Sequence, residues 1–184
     1  IDFTLALGVA ESKVHSKLLG EHNARNIALA AAVAYKLGLT REEIAAGIEK
    51  LDYVPHRLQL YAAGGVNILD DAYNANVVGA EEAVKALKAF SGRKFVVTPG
   101  IVELGILEEG ENAALGGKLV GLDLVILVGA TLVTAVKRGY LAAGGEAEKL
   151  TVVPDLAAAQ KILSETLQPG DTVLFLNDLP DIYQ

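Results

Sequence analysis

Between residues 58 and 176 short apolar runs alternate with helical stretches, and some runs are apolar at every position, Leu124-Val125-Ile126-Leu127-Val128 most plainly. A strand that is apolar on both faces cannot leave one face in water, so it belongs inside a parallel sheet with helices on both sides. The spacing predicts strands at 58–63 and 66–69 joined by Gly64-Gly65, then helix 79–90, strand 94–98, helix 108–121 and strand 124–128. Helix 131–143, strand 150–153, helix 155–167 and strand 172–176 complete the series. The fold class is therefore α/β, a Rossmann-like three-layer sheet, mostly parallel.

The first 57 residues read differently. Residues 1–9 alternate as a strand and residues 11–19 are too mixed to assign, with a turn at Gly20. An alanine-rich helix runs from His22 to a glycine stop at Gly38, and Thr40 with Glu43 forms a capping box that starts a second helix through Lys50. The small-residue face of the first helix calls for a large packing partner, and these residues offer little for it to meet. Pro55-His56-Arg57 ends the helical pattern, which places a boundary between residues 1–57 and 58–184.

With 184 residues, 52% of them hydrophobic and 21% charged, the chain is long enough to bury a sizeable core. A net charge of −7 with no Lys/Arg cluster argues against nucleic acid and against anionic membrane surfaces, while leaving room for a small anion such as a nucleotide. There is no cysteine, and His15, His22 and His56 form no spaced ligand set, so no metal site is expected within this chain. The longest apolar run, 124–136, is broken by Gly129 and two threonines and falls short of the roughly 20 residues of a membrane span. The chain begins at Ile1, lacks methionine and shows no signal stretch, which reads as a cut or a deliberate sequence choice in a cytoplasmic protein. Gly117-Lys118 lacks the rest of a phosphate loop, and no GxGxxG, GxSxG or HExxH pattern occurs.

Ligands of wound sheets sit beyond the carboxyl ends of the strands. The densest polar stretch at such an end is Asp70-Asp71-Ala72-Tyr73-Asn74-Ala75-Asn76, which is either a ligand site or an Asx-rich turn leading into a helix. The other strand-end loops are 98–105, 129–131, 154–155 and 177–181; the last, Asn177-Asp178-Leu179-Pro180-Asp181, is a second candidate or a solvated turn.

Taken together, Gly-Glu-His-Asn-Ala-Arg-Asn (20–26), Pro-His-Arg-Leu (55–58), the 70–76 stretch, Thr-Pro-Gly-Ile-Val-Glu-Leu-Gly (98–105) and the 177–181 loop resemble the Mur ligase family. The resemblance implies the end of a central ATPase domain, as a helical remnant, followed by a C-terminal Rossmann-like domain. It also implies ATP- and Mg²⁺-dependent amide synthesis through an acyl phosphate in peptidoglycan precursor assembly, with a peptide-like small-molecule substrate. By position in these motifs, Asn23 and Asn26 would face adenine, Asp71 the ribose hydroxyls, and Arg57 the phosphates as the one catalytic candidate. Tyr73, Asn74, Asn76, Asn177 and Asp178 would meet substrate, and Glu103 would orient the incoming amine or bind nothing. Asn23 has a competing role as a helix cap, and Arg57 as a surface ion pair. The family's phosphate loop and metal ligands would lie in upstream domains, so the chain is expected to fold without ligating. Val77, Ile101 and Leu176 depart from the family pattern and the chain lacks Met, Cys and Trp, which supports a second reading: a non-catalytic or redesigned module that binds a small anion or nothing.

Overall fold

The computed structural model describes residues 1–177, so the Asp178 assignment lies outside the described residues. Chain order is β1 (Asp2–Leu7), β2 (Ala10–His15), α1 (Glu21–Lys36), α2 (Arg41–Glu49), β3 (Gln59–Ala63), β4 (Val66–Asp71), α3 (Val77–Lys88), β5 (Lys94–Thr98) and α4 (Glu108–Lys118). There follow β6 (Leu124–Val128), α5 (Val133–Ala142), β7 (Leu150–Val153), α6 (Leu156–Thr166) and β8 (Thr172–Leu176).

The stretch too mixed to assign is β2, which pairs antiparallel with β1 from Asp2↔His15 to Leu7↔Ala10. Its polar alternate positions face water, which is why periodicity alone did not isolate it. The hairpin gives α1 and α2 their packing partner: Leu5, Leu7 and Val14 meet Ile27, Ala31, Ile44 and Ile48 in a small core. Only that side of α1 is covered; Leu29, Val33 and Leu37, one turn apart, remain exposed. The capping box is present, with Thr40 Oγ1 accepting from Glu43 N and the Glu43 carboxylate accepting from Thr40 N.

The larger sheet has the order β3-β4-β8-β5-β6-β7, with every pair parallel except the edge hairpin β3-β4. The last described strand is thus threaded between β4 and β5. Handedness then distributes the helices. The connections β4→β5→β6→β7 advance in one direction across the sheet, so right-handed crossovers put α3, α4 and α5 on one face. The return from β7 to β8 reverses direction and puts α6 on the other face.

The two cores follow that division with the period of two expected of strands. Val96, Val125, Leu127, Leu174 and Leu176 pack under the three helices, while Phe95, Val97, Ile126, Val153 and Val173 face α6. On the three-helix face α4 and α5 approach so closely that a Cβ at Gly139 would lie 1.8 Å from the Ala113 carbonyl oxygen.

Candidate functional site

The 70–76 stretch lies where the N-terminal unit meets the wound sheet. Asn76 starts α3 by accepting from Gly79 N at 2.8 Å, which sets the helix start at Val77, two residues before the expected position. Asp71 ends β4, and its Oδ1 accepts the Leu58 N–H at 2.9 Å. Burial pushes the Asp71 carboxyl above the usual carboxylate range, opposed by the Leu58 N–H and by the positive charges of Arg57 and His22. Arg57 donates from Nη1 to the Asn74 carbonyl at 2.9 Å and lies 4.4 Å above the Tyr73 ring, so the ring and a carbonyl hold the guanidinium beside Asp71.

His56 and Leu58, on either side of Arg57, both take left-handed backbone (φ 59° and 48°), an uncommon conformation for such residues. His56 Nδ1 is 2.9 Å from Asp70 Oδ2, and the Leu58 side chain is buried in the main core. The strain is therefore held by contacts on both sides of Arg57, an arrangement more typical of functional segments than of plain connections.

Between these groups and α1 is a cavity of about 340 Å³. From the N-terminal unit His22, Asn23, Asn26 and Asp52 line it; from the sheet side come Arg57, Asp71, Asn74 and Asn76. Six residues assigned by motif position, Asn23, Asn26, Arg57, Asp71, Asn74 and Asn76, thus share one wall-to-wall space. Asn23 is not the cap of α1: the N-cap is Gly20, and Asn23 Nδ2 instead donates to the Leu19 carbonyl at 2.7 Å, one turn back. His22, to which the sequence assigned no role, also lines this space; its buried Nδ1 has no hydrogen-bond partner among the described residues and lies 3.9 Å from Glu82 Oε2.

Three assigned residues are placed differently. Tyr73 lies under Arg57, well exposed, and is not among the residues lining the cavity. Glu103 is exposed with φ 64° and does not line this cavity. Asn177 is buried at the end of β8 with φ 61°; its Nδ2 donates to the Gly100 carbonyl at 2.8 Å and its Oδ1 accepts from Ala75 N at 3.1 Å. Both ends of that amide tie together the loops that follow β4 and β5. Asn112, fully buried and not suggested by any motif, fastens that same loop after β5 to α4, accepting from Ile101 N and donating to the Ile101 and Glu108 carbonyls. Its only sequence signal is an asparagine on the apolar stripe of a helix.

A second cavity, of about 900 Å³, opens on the α6 side of the sheet. It is rimmed by all five of the strand-end stretches singled out from the sequence, through Asp70 and Ala72, Pro99, Gly129 to Thr131, Pro154-Asp155, and Asn177. Among the described residues no group of three or more His, Asp or Glu could hold a metal ion. No described helix is long and apolar enough to cross a membrane.

Comparison with known proteins agrees with this architecture. The UDP-N-acetylmuramoyl-tripeptide–D-alanyl-D-alanine ligase of Escherichia coli is 36% identical over 131 residues, covering 70% of this chain and 29% of the relative. The ligase of the same name from Mycobacterium tuberculosis is 33% identical over 194 residues, covering 94% of this chain and 38% of the relative. The matched part therefore spans only 29% and 38% of the length of these two relatives. Among solved structures, MurF from Acinetobacter baumannii superposes with a TM-score of 0.81 at 30% identity, over 96% of this chain and 38% of that one. MurF from Thermotoga maritima, solved in complex with ADP, gives the same TM-score at 24% identity, a likeness that speaks for the fold. A family profile described as "Mur ligase, glutamate ligase domain" matches residues 56–177, well over half of the chain. With its wound sheet, its strand-end loops and this match in register, the chain belongs to the Mur ligase family.

Proposed function

We propose that the chain is the C-terminal part of an ATP-dependent amide ligase that joins D-alanyl-D-alanine to a UDP-muramoyl tripeptide in the cytoplasm, and that it supplies half of the nucleotide site. The observation that carries this reading is the placement of Arg57 and Asp71 on one cavity with Asn23 and Asn26 across it. Residues 1–57 would be the end of a central ATPase domain and 58–184 the C-terminal ligase domain.

The residues fit a nucleoside. A cavity of about 340 Å³ is at the small end of ligand sites and suits a base and sugar better than a whole triphosphate. Asn26, with Asn23 behind it, offers amide groups that complement an adenine edge. Asp71, in an environment that raises its affinity for protons, is suited to accept ribose hydroxyls rather than to bind a metal. Arg57 would direct its fork toward phosphate by leaving the Asn74 carbonyl, with the Tyr73 ring as the surface on which it turns. Asn74 and Asn76 edge the side from which the amine component would approach. Bound ATP supplies the phosphoryl group that activates the substrate carboxylate, and Mg²⁺ would be held by upstream domains of the parent ligase. The chain's own contribution is to position the nucleoside and to place a cation beside the transferring charge.

Calorimetric titration of the chain with ATP tests this. Weak saturable binding is expected, falling about tenfold, or roughly 1.4 kcal/mol, in Asp71→Ala and in Arg57→Ala. Binding that ignores both substitutions, or no binding at all, would overturn the reading.

A further inference from the structure

Two residues of the motifs, His56 and Asp70, are left without a role by the nucleotide reading, and they meet each other. Asp70 and Asp71 are neighbours at the end of β4, so their side chains leave opposite faces of the sheet. Each reaches back to one flank of Arg57. Asp71 Oδ1 accepts the Leu58 N–H at 2.9 Å on the side of the nucleotide cavity, and Asp70 Oδ2 accepts the His56 Nδ1–H at 2.9 Å on the other side. The Asp70 end is firm: only 13% of its side chain is exposed, and its Oδ1 accepts the Ala72 N–H at 3.2 Å. The His56 carbonyl accepts the Tyr73 N–H at 3.3 Å, which ties His56 to the residue whose ring lies under Arg57.

The backbone explains why such a clasp is needed. His56 and Leu58 have φ of 59° and 48°, a region that disfavours any residue with a Cβ and that glycine would occupy without help. Leu58 is kept there by burial in the main core. The His56 side chain is more than half exposed, so burial does not hold it and the contact with Asp70 does. Relaxation of His56 toward the ordinary regions of backbone space would re-aim the next residue, and that residue is Arg57. Two contacts of Arg57 depend on its aim, the Asn74 carbonyl at 2.9 Å and the Tyr73 ring at 4.4 Å.

We propose that Asp70 and His56 are positioning residues for Arg57: the carboxylate holds the imidazole, the imidazole holds its own left-handed backbone, and that backbone keeps the guanidinium over Tyr73 at the wall of the nucleotide cavity. What Arg57 meets there, the phosphates, rests on the nucleotide reading given above; how Arg57 is held does not. An ion pair that only balanced surface charge would leave Arg57 in place when broken. A pair that aims the cation acts on the phosphates alone, whereas general collapse of the loop would lose the nucleoside too.

The test uses the 184-residue chain and two variants: Asp70→Ala, which removes the acceptor, and His56→Gly, which permits the same φ and removes the ring. NMR of the unliganded chain reads the Arg57 side-chain signals, which the Tyr73 ring shifts. Both variants are expected to move those signals toward the values of a free arginine while thermal melting still reports a folded chain. In calorimetry both are expected to weaken ATP about fivefold and to leave adenosine within about twofold, and neither is expected to weaken ATP further once Arg57→Ala is present. Arg57 signals unmoved in both variants, equal losses for ATP and adenosine, or a full further loss in the Arg57→Ala background would each overturn the proposal. If ATP binds none of these chains, the nucleotide reading falls, and the Arg57 signals still decide the clasp.

Discussion

The two faces of the wound sheet are made from the same strands and end up with different physical characters. Under α3, α4 and α5 the packing leaves no slack: Leu87, Leu119, Val136 and Leu174 are fully buried, and helices meet backbone to backbone at Gly116 and Gly139. Under α6 the core is smaller, Leu156 stays 43% exposed, and a large cavity lies over the carboxyl ends of the strands. One face is closed by packing, and the other leaves a large cavity among the described residues. The direction in which the chain crosses the sheet decides which is which.

The largest test of that contrast is a matched pair of truncations. Leu87→Ala, on the closed face, is expected to cost about 3–4 kcal/mol in chemical denaturation, while Leu156→Ala, on the open face, is expected to stay within about 1 kcal/mol. Similar losses at the two sites would erase the distinction. Next in size is Gly139→Ala. Alanine would favour the helix by about 1 kcal/mol in isolation, yet its Cβ would collide with the Ala113 carbonyl, so a net loss of about 2 kcal/mol is expected in the same assay.

A smaller effect separates a structural carboxylate, Asp171, from Asp71, for which a binding role is proposed. Asp171 is buried against Arg93, which donates from Nε at 3.0 Å and from Nη2 at 2.6 Å. These hydrogen bonds hold its carboxyl below the usual range, against a burial effect that acts the other way. The folded form of Asp171 thus binds its proton less readily than the unfolded form. Its stabilisation is present above an unfolded pKa of about 3.9 and is lost as pH falls through the depressed folded value. Asp171→Asn should therefore lower the melting temperature at pH 7 and leave it nearly unchanged near pH 2. Asp71 has the opposite sign: its folded pKa is raised, so its contribution is present below about pH 3.9 and is lost as pH rises through the folded value. Asp71→Asn is expected to leave the melting temperature at pH 7 unchanged or slightly higher while nucleotide binding falls, and a marked drop in melting temperature would assign Asp71 to structure instead.

Much of this was legible beforehand, for reasons tied to particular residues. Leu124 to Val128 could only be an interior strand, and Thr40 with Glu43 could only begin a helix, because in each case the signal is local. The β2 strand was not legible, since a hairpin beside water alternates polar residues that resemble a loop. Six of the motif positions line the smaller cavity together, but no motif pointed to Asn112, whose work is with backbone groups eleven residues and one turn away. Asn177 was marked as a candidate, yet what it holds, the Ala75 N–H and the Gly100 carbonyl, lies 102 and 77 residues distant.

The sequence by itself determined the list of strands and helices of the wound sheet and the polar residues at their ends, because side-chain period and turn chemistry act over a few neighbours. It could not determine that β8 inserts between β4 and β5, or that α6 would stand alone on its face. Strand order depends on which apolar faces find each other across more than a hundred residues. That choice brought Asn177 between two loops and left a large cavity on the far side of the sheet, whereas the β3-β4 hairpin, a contact between chain neighbours, set Arg57 beside Asp71.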